Sequence, residues 1–135
     1  ECPKYGITIE ELYKLGPAFS EGGTITAGNT SRIGDGASAI LLMSKERAEK
    51  MGINPLAKII SYSTTGGDPK IMGIGPAFAS RKALNKINMD IEEIDLVECN
   101  EVFAAQYLAV KKEMKLDTNI VNVNGGAISL GHPVS

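Results

Sequence analysis

The fold of this 135-residue chain is constrained most by an alternation of strand-like and helical segments in its second part. Residues 56–63, 94–98 and 120–123 carry the β-branched and apolar side chains typical of strands. Between them, two segments with apolar residues at helical spacing begin at Pro76 and Asn100. Proline suits the first turn of a helix, and asparagine suits its N-cap. Strands that alternate with helices predict an α/β structure with a largely parallel sheet.

The first part of the chain predicts two short helices on either side of a glycine-rich loop. Thr8 begins a capping box, and Ser44 is placed to cap a helix that ends near Gly52. Residues 22–36 combine glycine with small hydroxyl side chains, which favours a shaped loop of the kind that often contacts ligands. The continuous apolar run 37–43 is interpreted as a buried strand or buried helix.

Composition excludes several classes of function. The 14 basic and 16 acidic residues leave a formal charge of -2, so no positive field is present to recruit nucleic acid. Apolar runs are too short to cross a membrane, and the N-terminus has no signal-peptide pattern. Cys2 and Cys99 form no Cys-x-x-Cys unit, which argues against a zinc site and suits a reducing compartment. We therefore expect an intracellular protein with no metal, whose partner is a small molecule or another protein.

Two polar residues are candidates for chemistry. His132, the only histidine, lies among glycines and precedes a proline that suits the start of a helix. A histidine at a helix entrance favours the neutral imidazole, which can act as a base, although a surface histidine in a glycine turn is an equally good interpretation. Asn100 lies where a predicted strand becomes a helix, so it either caps that helix or helps to stabilise developing negative charge.

Four motifs resemble those of the thiolase family, in the family's order and at its separations. They are Gly-Thr-Ile-Thr-Ala-Gly-Asn-Thr-Ser at 23–31, Asp-Pro-Lys-Ile-Met-Gly-Ile-Gly-Pro at 68–76, Asn-Glu-Val-Phe-Ala at 100–104 and Asn-Val-Asn-Gly-Gly-Ala-Ile-Ser-Leu-Gly-His-Pro at 122–133. The resemblance covers essentially the whole chain. Four motifs in this order identify the family more specifically than any one of them alone.

The resemblance implies a fold and a reaction. The thiolase fold has two similar α/β halves, and the chain is expected to be an internal fragment that is incomplete at both ends. Residues 1–52 would close the N-terminal half and carry the coenzyme A loop, and residues 53–135 would open the C-terminal half. Thiolases condense acyl groups with acetyl-coenzyme A, or cleave 3-ketoacyl-coenzyme A, through a cysteine acyl-enzyme. The expected ligands are coenzyme A (CoA) and acyl-CoA, with no resident cofactor.

The resemblance also implies roles for individual residues. His132 would activate the nucleophilic cysteine, and Asn100 would orient a water in the oxyanion hole. The serine that contacts pantetheine in the family matches Ser31. Apolar contacts to the coenzyme match four further residues, Phe19, Ala27, Met72 and Phe103.

Some of the family's features are missing from this sequence. Neither Cys2 nor Cys99 matches the position of the family's nucleophile or of its second cysteine. We therefore expect the chain alone to be catalytically inactive, while the parent protein would be a homodimer or homotetramer in the cytoplasm or in a mitochondrial or peroxisomal matrix. A non-catalytic CoA- or lipid-binding module and a structural fragment of a thiolase-like protein remain as alternatives.

Overall fold

A computed structural model describes residues 4–134 of the chain. The interpretation of the N-terminal residues, including Cys2, therefore lies outside the described part. Among the described residues, no helix combines the length and the apolar character needed to cross a membrane.

The two helices predicted in the first part of the chain are confirmed. Helix α1 spans Ile9–Tyr13, where the Thr8 hydroxyl accepts from the Glu11 N–H at 3.3 Å and the Glu11 carboxylate accepts from the Thr8 N–H at 2.9 Å. Helix α2 spans Lys45–Lys50 and begins at Ser44, whose hydroxyl accepts from a backbone N–H one turn later. Both caps satisfy backbone donors at the first turn, which otherwise have no intrahelical partner.

The core lies in the second part of the chain, between two longer helices. Helix α3 spans Gly75–Asn85, and helix α4 spans Ala104–Met114. A 3₁₀ segment at Pro69–Ile74 precedes α3 and contacts both helices. Five buried apolar residues form the core, and these are Ala77, Val110, Met114, Leu116 and Val121. Short 3₁₀ turns at Ile91–Glu93 and Thr118–Ile120 and a short helix α5 at Ala127–Leu130 complete the regular elements of the described part.

The prediction that Asn100 caps α4 is wrong. The N-cap of α4 is Phe103, which makes no side-chain cap. Phe103 is held in an extended conformation by an antiparallel bridge to Thr30, and the Ala104 N–H donates to the Asn29 carbonyl at 2.9 Å. Tertiary hydrogen bonds therefore delay the start of the helix by one turn, and the Asn100 side chain is left for another contact.

Strand pairing in residues 4–134 is limited to isolated bridges. Segments 94–98 and 120–123, both predicted as strands, pair in parallel through Val97 and Val121. The Val97 N–H donates to the Ile120 carbonyl and the Asn122 N–H donates to the Val97 carbonyl, both at 2.9 Å.

Two other predicted elements do not form in the described part of the chain. Segments 37–43 and 56–63 have no helix or strand assignment. The prediction that 37–43 is buried is wrong, since Leu41 is 82% exposed. A strand needs a neighbouring strand that supplies backbone partners, and the described residues provide no such strand to these segments. Segment 56–63 instead contacts the end of α3, where Lys86 Nζ donates to the Tyr62 carbonyl at 2.7 Å.

Candidate functional site

Three segments that are distant in sequence meet at one place in the structure. They are the glycine-rich loop (22–36), the asparagine segment (97–104) and the histidine segment (121–132). The loop contacts the asparagine segment through its middle and the histidine segment through its later residues. These contacts bring Asn100 and His132, the two candidates for chemistry, next to each other.

The glycine-rich loop is shaped by its own polar side chains. Asn29 accepts from the Thr26 N–H at 2.8 Å and donates to the Thr24 carbonyl at 3.0 Å. Such local side-chain bonds hold the backbone in a turn without a regular ladder. Gly28 lets the loop approach α1 closely, because a Cβ there would lie 2.5 Å from a methyl carbon of Leu12.

The loop is fixed to the asparagine segment by hydrogen bonds from Ser31. Its backbone N–H and its hydroxyl both donate to the Val102 carbonyl at 3.0 Å. The Ser31 hydroxyl proton is therefore engaged within the protein, while its oxygen retains lone pairs that can accept. In addition, the rings of Phe19 and Phe103 pack edge to face with their centroids 5.8 Å apart.

The same loop holds the backbone of the catalytic candidate His132. The His132 N–H donates to the Arg32 carbonyl at 2.7 Å, and its carbonyl accepts from the Gly34 N–H at 3.2 Å. Ile33 and His132 form a parallel bridge. A two-sided backbone contact of this kind fixes the position of the imidazole more firmly than a free turn could.

The asparagine and histidine segments are joined by the side chain of Asn122. Its amide oxygen accepts from the Cys99 N–H and its amide nitrogen donates to the Cys99 carbonyl, each at 2.8 Å. These two bonds continue the parallel pairing of Val97 with Val121 by one more residue. Asn122 itself has a φ of +50°, a left-handed conformation that asparagine tolerates better than most residues.

Asn100 and His132 face each other across this junction. Asn100 Nδ2 lies 3.4 Å from His132 Nε2, although the two residues are 32 positions apart in the chain. Asn100 is exposed and His132 is partly buried, so the pair lies at the surface of the described residues, where a ligand can reach it.

The second ring nitrogen of His132 fixes the tautomer. His132 Nδ1 accepts from the Val134 N–H at 3.3 Å, which places the ring proton of the neutral imidazole on Nε2. A proton on Nε2 needs an acceptor, so the hydrogen-bond network assigns the oxygen of the Asn100 carboxamide, rather than its nitrogen, to the position that faces Nε2. In this form, Nε2–H faces the Asn100 oxygen, and a ligand oxygen that replaces this contact would accept the same proton.

In the described part of the chain, His132 does not lie at the start of a helix, where the sequence predicted it. Helix α5 ends at Leu130, and His132 follows it after Gly131, whose φ is +104°. A helix that begins at Pro133 would extend beyond the described residues. His132 instead follows the C-terminal end of α5, so the helix-dipole reason for a neutral imidazole does not apply within residues 4–134.

The remaining predicted ligand residues do not all gather at the Asn100–His132 pair. Met72 lies in the 3₁₀ segment before α3 and is 77% exposed. Ala27 lines an open cavity of about 770 Å³ between α1 and the glycine-rich loop, together with Arg32, Lys14 and Ile128. Neither Asn100 nor His132 lines that cavity.

Cys99 lies beside the site but has the environment of a structural thiol. Burial is the main factor that raises its pKa, and the negative charge of Glu101 raises it further. A thiol with a raised pKa stays protonated at neutral pH and is a poor nucleophile. This agrees with the mismatch between Cys99 and the cysteine positions of the resembled family.

We expect alkylation of Cys99 to begin at a higher pH than that of an unfolded peptide with the same local sequence. Burial and Glu101 both disfavour the thiolate. The folded protein therefore suppresses thiolate formation fully below the ordinary thiol pKa, and this suppression is lost as the pH rises through the raised pKa of Cys99. Iodoacetamide labelling, followed at the Cys99 peptide by mass spectrometry, measures the shift. Glu101→Gln should lower the midpoint, because it removes one of the two causes; identical profiles for folded protein and peptide would contradict the assignment.

Sequence reasoning missed the partly buried Glu101 and its neighbours. Its carboxylate accepts from the Asn122 side chain at 3.1 Å and from the Ile128 N–H at 3.3 Å. The sequence favours a solvated or cap-supporting carboxylate at this position. The partners of Glu101 are 21 and 27 residues away, so no local pattern could have indicated them.

Comparison with known proteins identifies the class. The thiolase C-terminal domain matches residues 53–135, and the thiolase N-terminal domain matches residues 1–46. The chain therefore belongs to the thiolase family. Since the family is shown, the predicted α/β fold of thiolase type is confirmed for the segment that this chain covers.

Individual relatives agree with this assignment. An acetyl-CoA acetyltransferase of Paracoccus denitrificans is 53% identical over 99% of this chain and 34% of its own length. The crystal structure of the Bacillus anthracis acetyl-CoA acetyltransferase superposes with a TM-score of 0.95 at 54% identity, over 99% of this chain and 34% of that one. Human mitochondrial 3-ketoacyl-CoA thiolase in complex with CoA gives a TM-score of 0.94 at 49% identity, over 98% and 34%. The chain thus spans about one third of the length of the relatives that it matches.

Proposed function

We propose that the whole protein is an acyl-CoA acyltransferase of thiolase type, which reversibly condenses acyl groups with acetyl-CoA or cleaves 3-ketoacyl-CoA through a cysteine acyl-enzyme. The observation that carries the proposal is the 3.4 Å approach of Asn100 Nδ2 to His132 Nε2. Two polar side chains from separate segments meet at the surface, and the His132 backbone is held by hydrogen bonds of both its N–H and its carbonyl to the glycine-rich loop.

The proposed chemistry of this pair follows from the groups that it offers. In a condensation, negative charge develops on the thioester oxygen as the α-carbon loses its proton. The proton on His132 Nε2 is one donor to that oxygen, and Asn100 provides the second through a water that its carboxamide orients. Fixed donors stabilise an enolate because they need not reorganise as the charge forms. For the thiol, His132 is proposed to act as the other neutral tautomer, with its proton on Nδ1. The unprotonated Nε2 then takes the thiol proton as the cysteine sulfur attacks the acyl-CoA, and it passes that proton to the CoA thiolate that leaves.

Coenzyme binding is proposed for the glycine-rich loop and the residues around it. The oxygen of Ser31 can accept from the pantetheine arm, and the edge-to-face pair Phe19–Phe103 offers an apolar surface beside it. Phe19 is 73% exposed, which leaves one face of the pair free. Ala27 and Met72 are proposed as further apolar contacts, and their exposure leaves them accessible. The ligands are CoA and acyl-CoA, and no resident cofactor is proposed.

The organisation of the whole protein is also proposed. Residues 1–52 belong to the N-terminal thiolase half and residues 53–135 to the C-terminal half, and the two matched domain ranges support this division. An intracellular location and a homodimeric or homotetrameric assembly complete the proposal. The 135 residues alone are expected to be inactive, because Cys99 has a raised pKa and does not match the position of the family's nucleophilic cysteine.

The test is a product assay on the whole protein with acetoacetyl-CoA and free CoA. Thiolysis consumes one molecule of each and yields two molecules of acetyl-CoA, which chromatography resolves. The reaction without free CoA is the control, because simple hydrolysis would release acetoacetate instead. Binding of CoA without acetyl-CoA formation would contradict the proposed activity and favour a non-catalytic CoA-binding module, and turnover by the 135-residue chain alone would contradict its proposed inactivity.

A further inference from the structure

The carboxylate of Glu101 lies between the two segments that carry Asn100 and His132. One side of it accepts from the Asn122 amide at 3.1 Å, and the other accepts from the Ile128 N–H in the first turn of α5 at 3.3 Å. The Asn122 side chain is in turn hydrogen-bonded to both the N–H and the carbonyl of Cys99 in the asparagine segment. A single side chain thus links the residue next to Asn100 with the short helix that leads to His132.

Gly126 shows how closely this carboxylate fits. A Cβ at Gly126 would overlap the Glu101 carboxylate. The backbone of Gly126 is extended, with φ -137° and ψ 174°, a conformation that any residue adopts. Conformational freedom is therefore not the reason for glycine at this position; the room needed by the Glu101 side chain is.

We propose that Glu101 is a positioning residue that sets the separation between Asn100 and His132, and that Gly126 is required only to admit its carboxylate. The proposal rests on the function proposed above for that pair. Glu101 does not contact the reacting atoms. It belongs to the asparagine segment and accepts from two points of the histidine segment, Asn122 and the first turn of α5, so its loss would let the two segments shift relative to each other.

Within residues 4–134 the Ile128 N–H donates to Glu101 alone, whereas the Asn122 amide nitrogen also donates to the Cys99 carbonyl at 2.8 Å. The Ile128 N–H belongs to the first turn of α5, where helix N–H groups have no intrahelical partner. Hydrogen bonds to charged acceptors are stronger than neutral ones. Glutamine keeps the shape and one acceptor oxygen, so Glu101→Gln should retain part of the function that Glu101→Ala loses.

The first experiment uses amide hydrogen exchange in the whole protein and does not depend on activity. Glu101→Ala should accelerate exchange of the Ile128 amide on the order of tenfold or more, as expected for loss of a hydrogen bond to a charged acceptor. Exchange of the His132 amide should accelerate as well, because the histidine segment is no longer anchored. Unchanged exchange at His132 would overturn the positioning role.

The second experiment is a double-mutant cycle with Gly126. In the wild-type background, Gly126→Ala should accelerate exchange of the Ile128 and His132 amides and lower kcat. In the Glu101→Ala background, the same substitution should add little to either effect, because the overlapping carboxylate is gone. Additive effects of the two substitutions would refute the statement that Gly126 serves only to admit Glu101.

The third experiment separates positioning from general stability. A misplacement of about 1 Å can cost on the order of a hundredfold in rate, so Glu101→Ala should lower kcat by about tenfold to a hundredfold with KM within about twofold. Glu101→Gln should recover part of kcat. Glu98→Ala is the matched control, because Glu98 is an exposed carboxylate three residues earlier, and it should leave both constants unchanged.

The outcomes also distinguish this proposal from the proposed function. A wild-type protein that shows no thiolysis contradicts the function, and the exchange cycle at Ile128 and His132 then decides the role of Glu101 alone. A wild-type protein that shows thiolysis, with kcat unchanged in Glu101→Ala, contradicts the positioning role and leaves the function intact.

Discussion

Replacing His132 with alanine in the whole protein is expected to abolish acylation of the nucleophile. The substitution removes the group proposed to exchange protons with the thiol, and such groups contribute about a hundredfold to ten-thousandfold in rate. It also removes the Nε2 donor that faces Asn100. The measurement is the acetyl adduct that accumulates after rapid mixing with acetyl-CoA and acid quenching, quantified by mass spectrometry of the intact protein.

The control for the His132 variant is Ser80→Ala. Ser80 is an exposed residue of α3, outside the three segments that meet at the Asn100–His132 pair. Its variant should acylate at the wild-type rate. Normal accumulation of the acetyl adduct in His132→Ala would sink the proposed role of this residue.

Replacing Asn100 with alanine is expected to separate the two halves of the reaction. Acylation should remain measurable, since His132 is retained, whereas condensation should slow on the order of a hundredfold to a thousandfold through loss of one donor to the developing oxyanion. Single-turnover acylation and steady-state formation of acetoacetyl-CoA from acetyl-CoA report the two steps separately.

Asn119→Ala is the matched control for the loss of a carboxamide. Asn119 is exposed in the 3₁₀ turn at Thr118–Ile120, and its hydrogen bond to the Asp117 carboxylate uses its backbone N–H. That variant should condense at the wild-type rate. An Asn100→Ala protein with unchanged condensation would show that the oxyanion is stabilised by other groups.

The parts of the fold that could be predicted from sequence are those decided by near neighbours. The caps at Thr8 and Ser44 depend on residues three positions away, and both helices form where expected. The start of α4 could not be predicted in this way. Asn100 has the better capping side chain, but Phe103 is held by a bridge to Thr30, and only the folded chain brings that residue near.

The strand predictions show the same dependence on distant partners. Segments 94–98 and 120–123 find each other through Val97 and Val121 and are paired there. Segment 37–43 has the composition of a buried element, yet burial depends on a neighbouring surface that its own sequence cannot reveal. Its apolar side chains are exposed among the described residues.

The candidate site could be predicted only as a set of motifs. The sequence indicated Asn100 and His132 by type and by family resemblance, and the structure brings these two together. The sequence did not indicate that Glu101 joins the two segments, because the partners of Glu101 lie more than twenty residues away. The need for glycine at 126 was likewise hidden, because the contact that requires it is tertiary rather than conformational.

The way His132 is held has a consequence for how such a site can diverge. Its N–H and carbonyl are both bonded to the main chain of the glycine-rich loop, and Ser31 and Ala104 make further main-chain bonds to the neighbouring segments. Main-chain groups are the same at every residue, so loop side chains other than those that shape the turn, such as Asn29 and Gly28, can be exchanged without dismantling this support. A lineage that retains the backbone path is therefore free to alter the exposed side chains of the loop, and with them the contacts proposed for the coenzyme, while the histidine stays in register.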